Sequence, residues 1–401
     1  MFIQPTLRLL KTVTFLTVTA VWTSASYGVT SLSSQFKAMT VSGSTLVALD
    51  FSNDLSTSDD DGASFTPRLD TSTLYNGTNE NFTNVQALGT TVITVGKDGL
   101  VLRSADAGTT WAEATSPTIF DSLYGVAART DESNSNVWIA VGDDPDSPQI
   151  NGVILRSLDD GQNWTEVKTL ADISLKDAIW TGDRWLTCGR DEFSSEGVIY
   201  SSTNGTNWVL STVPALSAPL LALAADGSGV VLAVGEQGQI LRSTDDGLNF
   251  EAIATEFLNG GDLNAIIADS SGTFFIGGDE SLIIEVNGMT ATTLDPADST
   301  AMPILDFVLI DDVPLAVGDF STPVLRTIPL IVQFSTGGSL DYVLTIEQTL
   351  IGKTYYLETT TDLTANDWAI VTGISISGTG GQVSFDVSED TPRRFWRVVE
   401  F

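Results

Sequence analysis

Short apolar runs that stop on a glycine recur along this chain at a nearly constant interval. They read Val95-Gly96, Val141-Gly142, Cys188-Gly189, Val234-Gly235, Gly277-Gly278 and Val317-Gly318, with the final glycines 46, 47, 46, 43 and 40 residues apart. Asp50, closing Leu46-Val47-Ala48-Leu49, lies 46 residues before Gly96 and adds a seventh member. Runs this short, bounded by Gly, Asp and Ser, are strands, and a period of about 40 to 50 residues fits one four-stranded sheet per repeat. Residues 221–225, 230–235, 239–243 and 250–255 show one complete unit of four strands.

A second pattern keeps step with the first. Ser-x-Asp-x-Gly-x-x-aromatic occurs as Ser58-Asp60-Gly62-Phe65, Ser104-Asp106-Gly108-Trp111, Ser157-Asp159-Gly161-Trp164 and Ser243-Asp245-Gly247-Phe250. Ser201-Thr203-Gly205-Trp208 reads as a weakened copy, and the sixth and seventh units lack the motif. Turn chemistry accounts for every position: the carboxylate accepts backbone N–H groups, Ser adds a local hydrogen bond, Gly takes a positive φ, and the aromatic returns to the core. The expected fold is all-β, a seven-bladed β-propeller over 27–330 followed by a small β-sandwich-like module over 331–401.

These Ser-x-Asp-x-Gly-x-x-Trp copies resemble the Asp-box, or bacterial neuraminidase repeat, of sialidases, sortilin-type receptors and some polysaccharide hydrolases. Ala-Val-Gly followed by Ile-Leu-Arg-Ser-x-Asp-Asp-Gly, over 232–250, is similar to the photosystem II stability and assembly factor type of seven-bladed propeller. That resemblance spans about residues 35 to 328. It implies the fold, and implies scaffold, receptor or glycosidase roles alike. The stretches 355–363, 367–368 and 392–398 resemble a C-terminal module of secreted proteins from environmental bacteria.

Residues 1–26 read as a signal peptide. Arg8 and Lys11 precede the apolar run 12–22, and Thr23-Ser24-Ala25-Ser26 supplies small residues for cleavage. That run of 11 residues falls short of the roughly 20 that span a bilayer, so no stable membrane insertion is expected after cleavage, and the product is expected to be secreted or periplasmic. Eighteen Lys and Arg stand against 51 Asp and Glu, a net charge of −33. An acidic surface of this kind repels nucleic acid and is also simply soluble.

The chain has no histidine and one cysteine, Cys188, which reads as a small buried hydrophobe. Histidine-based catalysis and metal sites are excluded, and neither cofactor nor metal is expected. Candidate binding residues are those that follow the repeat glycines on one face: Asp143, Asp144, Asp146, Arg190, Asp191, Glu192, Glu236, Asp279 and Asp319, beside Lys97 and Asp98. They read either as ordinary hairpin turns or as an acidic ring for a basic protein segment, a sugar, or a metal ion held through oxygen ligands, with a protein or glycan ligand expected. The loops 143–151 and 190–197 are the longest and point to the third and fourth units.

The expected function is a non-catalytic binding scaffold, assembly-factor-like and monomeric. The alternative is a glycoside hydrolase with a carboxylate pair in an axial cleft. A sialidase is disfavoured because Arg103, Arg156, Arg242 and Arg326 occupy equivalent positions in successive repeats, where they spread around the ring and can pair with a neighbouring acidic turn.

Overall fold

The computed structural model describes residues 36–318 except 61, 63, 72–81, 118–121, 145–148, 216–217, 255–260, 280–281, 295–302 and 311, and beyond these the strands Thr19–Trp22, Tyr27–Thr30 and those from Val324 to Glu400. Seven four-stranded antiparallel sheets are built from these residues. Their innermost strands, numbered here as blades 1 to 7, are Phe36–Ser42, Phe82–Leu88, Ser122–Thr130, Ile173–Trp180, Leu220–Ala225, Leu263–Ala268 and Ile304–Ile310. Each lies against the next in order, and blade 7 lies against blade 1, so the sheets close into a β-propeller. The outer strand of blade 7 is Tyr27–Thr30, from the opposite end of the chain.

The second strands are mainly apolar and buried because both faces of each sheet are covered, which removes the alternation that a half-exposed strand would show. In Asn136–Asp143, Ile139 and Val141 pack with Leu175 and Trp185 of blade 4. Trp138 and Ala140, pointing the other way, pack with Ile93 and Val95 of blade 2. The glycine that ends this strand answers a close approach: a Cβ on Gly142 would overlap the carbonyl oxygen of Ser122. Gly189 and Gly235 stand in the same relation to Ser174 and Pro219. The repeat glycine is therefore the mark of an innermost strand pressed against its neighbour.

By contacts the chain parts into two units, Val29–Thr327 and the remainder. In the second unit Asp341–Ile346 pairs with Val383–Ser388, while Ala369–Ser377, Thr354–Thr360 and Phe395–Glu400 form a three-stranded sheet. Thr19–Trp22, inside the expected signal segment, pairs with Leu330–Gln333.

Candidate functional site

Each innermost strand carries a bulge near its start, where one residue has no partner on the second strand. A bulge re-aims its extra side chain. The extra residues include Lys37, Thr83, Tyr124, Lys176 and Asn264, and they sit at the end of the blades where the repeat glycines lie. This ring of bulges escaped the sequence reading because a one-residue insertion leaves the hydrophobic pattern of a buried strand unchanged.

Between blades 3 and 4 the bulges make a compact polar cluster. Lys176 Nζ lies 4.1 Å from the centroid of the Tyr124 ring and 3.3 Å from Asp143 Oδ2. Ser174 Oγ also donates to Asp143 Oδ2. Asp143 is only 4% exposed, and its Oδ1 is buried without a hydrogen-bond partner among the described residues. Burial, and then the charge of Asp143, push the Tyr124 hydroxyl pKa up. Phe193, on the loop that follows Trp185–Asp191 of blade 4 at the same end, is 93% exposed.

The other described ring residues bond within their own blades. Asp144 N–H donates to the Asn151 carbonyl at 3.0 Å, and Asp191 Oδ1 accepts the N–H groups of Phe193 and Ser194, both at 2.9 Å. Arg190 pairs with Glu192 at 3.6 Å and reaches Ser195 Oγ at 3.0 Å. Glu236 opens a single tight turn, its N–H bonded to the Pro219 carbonyl. Asp279 accepts from Asp262 N–H and from Asn264 Nδ2, each at 3.2 Å. Asp146 and Asp319 lie outside the described residues. Asp143 is thus a ring member whose side chain the structure joins to the next blade.

Two acids that the sequence reading passed over sit directly after bulges. Asp177 accepts from Ala178 N–H at 2.7 Å and from Leu223 N–H of blade 5 at 2.9 Å. Asp306 does the same with Phe307 N–H and with Met39 N–H of blade 1, both at 2.8 Å. Burial pushes their pKa values up to about 6 for Asp177 and about 7 for Asp306, against the opposing pull of these N–H groups, and Asp306 also feels the charge of Asp177. The signal was present in Lys176-Asp177-Ala178 and Leu305-Asp306-Phe307, each an acid inside a first strand, the second of them otherwise apolar.

At the other end of the blades the Ser-x-Asp-x-Gly turns follow their expected chemistry. Ser157 Oγ donates to Asp159 Oδ1 at 2.8 Å and accepts Gly161 N–H at 3.0 Å, while Asn163 N–H reaches Asp159 Oδ1 at 2.9 Å. The same set repeats at Ser58, Asp60 and Gly62, at Ser104, Asp106 and Gly108, and at Ser243, Asp245 and Gly247. Trp111 and Trp164 donate their indole N–H to the motif glycine carbonyls, and Phe250 is buried. The weakened copy needs correcting. Ser202, rather than Ser201, bonds Asn204 and Gly205 N–H, so the turn is one residue shorter and Asn204 replaces the Asp.

No protein-family profile and no curated protein sequence matches the chain. Solved structures do match. YCF48 from Cyanidioschyzon merolae aligns with a TM-score of 0.59 at 13% identity, over 76% of this chain and 99% of that one. YCF48 bound to D1 peptide aligns at 0.57 and 15%, covering 79% and 99%. A streptogramin B lyase aligns at 0.59 and 12%, covering 77% and 98%. At these identities the likeness is one of fold. The fold is a β-propeller. Among the described residues no group of three or more Asp, Glu or Cys side chains is placed to hold a metal ion.

Proposed function

We propose that the chain is a non-catalytic binding scaffold that takes an extended segment of a protein partner on the glycine end of blades 3 and 4. The observation that carries this reading is the buried, unpartnered Oδ1 of Asp143 beside the Lys176 ammonium. An unmet acceptor next to a donor complements the N–H and C=O of a peptide, and a buried acceptor left unmet costs about 1 to 3 kcal/mol. The exposed Phe193 ring adds an apolar contact of the kind that anchors interfaces. One protein of similar fold is known with a peptide bound. Export is part of the proposal, resting on the basic-then-apolar segment before Tyr27. A glycan is the competing occupant of the same face.

The test is selection of peptides from a random displayed library on the immobilised full chain, followed by anisotropy titration of the selected peptides. Asp143→Asn and Lys176→Gln should each weaken binding by about tenfold. If no peptide is selected while an oligosaccharide array gives ligands, the face belongs to glycans.

Asp177 and Asp306 favour the second reading, glycoside hydrolysis, because burial raises the pKa of both carboxyl groups, to about 6 and about 7, and the charge of Asp177 acts on Asp306. Release of reducing ends from polysaccharides by the chain, and its loss in Asp306→Asn, would support it. A chain that releases none removes it.

A further inference from the structure

Across the blades from the cluster just described, at the end where the Ser-x-Asp-x-Gly turns lie, blades 3 and 4 bring together two arginines and two tryptophans. Arg129 is near the end of its innermost strand, paired with Val137, and Arg156 is on the third strand, paired with Ile139. Trp180 and Trp185 are paired across blade 4, ring centroids 5.1 Å apart and edge to face. The Arg129 guanidinium carbon stands 4.4 Å from the Trp180 ring centroid and 6.0 Å from that of Trp185. A Cβ on Gly205, in the shortened turn of blade 4, would lie 3.4 Å from Trp185 Nε1 and 3.6 Å from Arg156 Cδ. The four side chains therefore share one cleft between the blades.

Three N–H donors in that cleft have nothing to bond. Arg129 Nε, Arg156 Nε and Trp185 Nε1 are all shut from solvent and without an acceptor among the described residues. Trp185 is fully buried, whereas both arginines are half-buried. Among the described residues neither arginine is in an ion pair, although the chain has 51 acids. Burial, and then the charge of Arg129, lower the Arg156 pKa. Two cations that repel one another and three unmet donors call for a ligand that is anionic and accepts only.

The number of donors narrows its shape. A single carboxylate presents two oxygens in one plane and is satisfied by one guanidinium fork. Donors on two guanidinium groups and an indole, carried by different strands, need oxygens in more than one plane. We propose that this cleft is a binding site for a tetrahedral oxyanion, sulfate or phosphate, either as the free ion or as a monoester on a larger molecule. Rotation of either guanidinium, a common side-chain adjustment on binding, presents its Nε to the anion. The site is separate from the peptide surface proposed above and stands or falls without it.

The experiment is a titration of the full-length protein with sodium sulfate and sodium phosphate, read by tryptophan emission and thermal midpoint, against sodium chloride at equal ionic strength. Sulfate also raises thermal midpoints by exclusion from protein surfaces, an effect that does not saturate. The proposal expects a saturable component above that background, lost or weakened by about tenfold in Arg129→Gln and Arg156→Gln. Both variants remove an unpaired, partly desolvated charge, and circular dichroism establishes that they remain folded. Glucose 6-sulfate and glucose 6-phosphate form the second arm. Tighter saturation with an ester identifies a monoester ligand, and saturation with the ions alone identifies a free-ion site. Only a linear response in the parent protein, or a saturable response unchanged in both folded variants, overturns the proposal.

Discussion

Arg103 of blade 2 reaches across to Asp160 of blade 3 and grips it twice. Nη2 lies 2.6 Å from Asp160 Oδ2, and Nε donates to the Asp160 backbone carbonyl at 2.6 Å. Thr91 Oγ1 and Asn136 Nδ2 complete the carboxylate at 2.7 and 2.8 Å. The equivalent Arg156 and Arg242 have no such acid among the described residues, so the expected pairing of these arginines with a neighbouring turn holds at this one joint. Burial alone would raise the Asp160 pKa, but the bonds from Thr91, Asn136 and Arg103, with the Arg103 charge, lower it.

Asp160→Ala is expected to destabilise the propeller by about 2 kcal/mol, because it takes the carboxylate away from Arg103, Thr91, Asn136 and Trp138. Chemical denaturation measures it. Since the folded pKa lies below the unfolded one, this contribution is present above the unfolded value near 3.9 and disappears as pH falls through the folded value. The variant should therefore converge on the parent in strong acid.

Asp177 and Asp306 act with the opposite sign. Their folded pKa values, about 6 and about 7, exceed the unfolded value, so the folded state holds protons that the unfolded state releases. Stability should decline as pH rises from about 4 to about 7 and then level off. Asp306→Asn should remove the upper part of that slope. Thermal midpoints of parent and variant between pH 4 and 8 give the comparison, and parallel curves would contradict the assignment.

Gly247 has a φ of +83°, and a Cβ there would overlap the side chain of Leu186 in blade 4. Gly43 has a φ of +66° with nothing within 4 Å of its Cβ position. Gly43→Ala should cost about 1 kcal/mol from the backbone alone. Gly247→Ala should cost roughly 2 to 4 kcal/mol, since overpacking adds to the same backbone term. Equal losses in a denaturation series would show that the turn does not press on the preceding blade.

Cys188 is fully buried, and burial raises its thiol pKa well above the ordinary value. It should resist a disulfide reagent in the native protein and react on unfolding, so its labelling rate should track global opening.

The repeat was legible because each blade must solve the same local problem. Ser157, Asp159 and Gly161 bond chiefly one another, and a motif whose partners are two to four residues away can be read from a line of text. The same reading failed by one residue at Ser202, where a shorter turn keeps the bonds with a different spacing. The acidic ring was legible as composition, but not which of its members faces a neighbouring blade. Asp191 and Asp279 look alike in sequence to Asp143, yet only Asp143 is turned into the joint between blades.

What the chain determined by itself is the strand, the turn and the period, since these follow from residue type and near-neighbour hydrogen bonds. Tertiary structure decided which side chains meet across blades: Asp143 with Lys176, Arg103 with Asp160, Arg129 with Trp180. Those partners are separated by 33, 57 and 51 residues, and their meeting depends on the angle at which one sheet packs on the next. That angle is set by the interlocking of two buried apolar faces, a property of the assembled ring that no local pattern encodes.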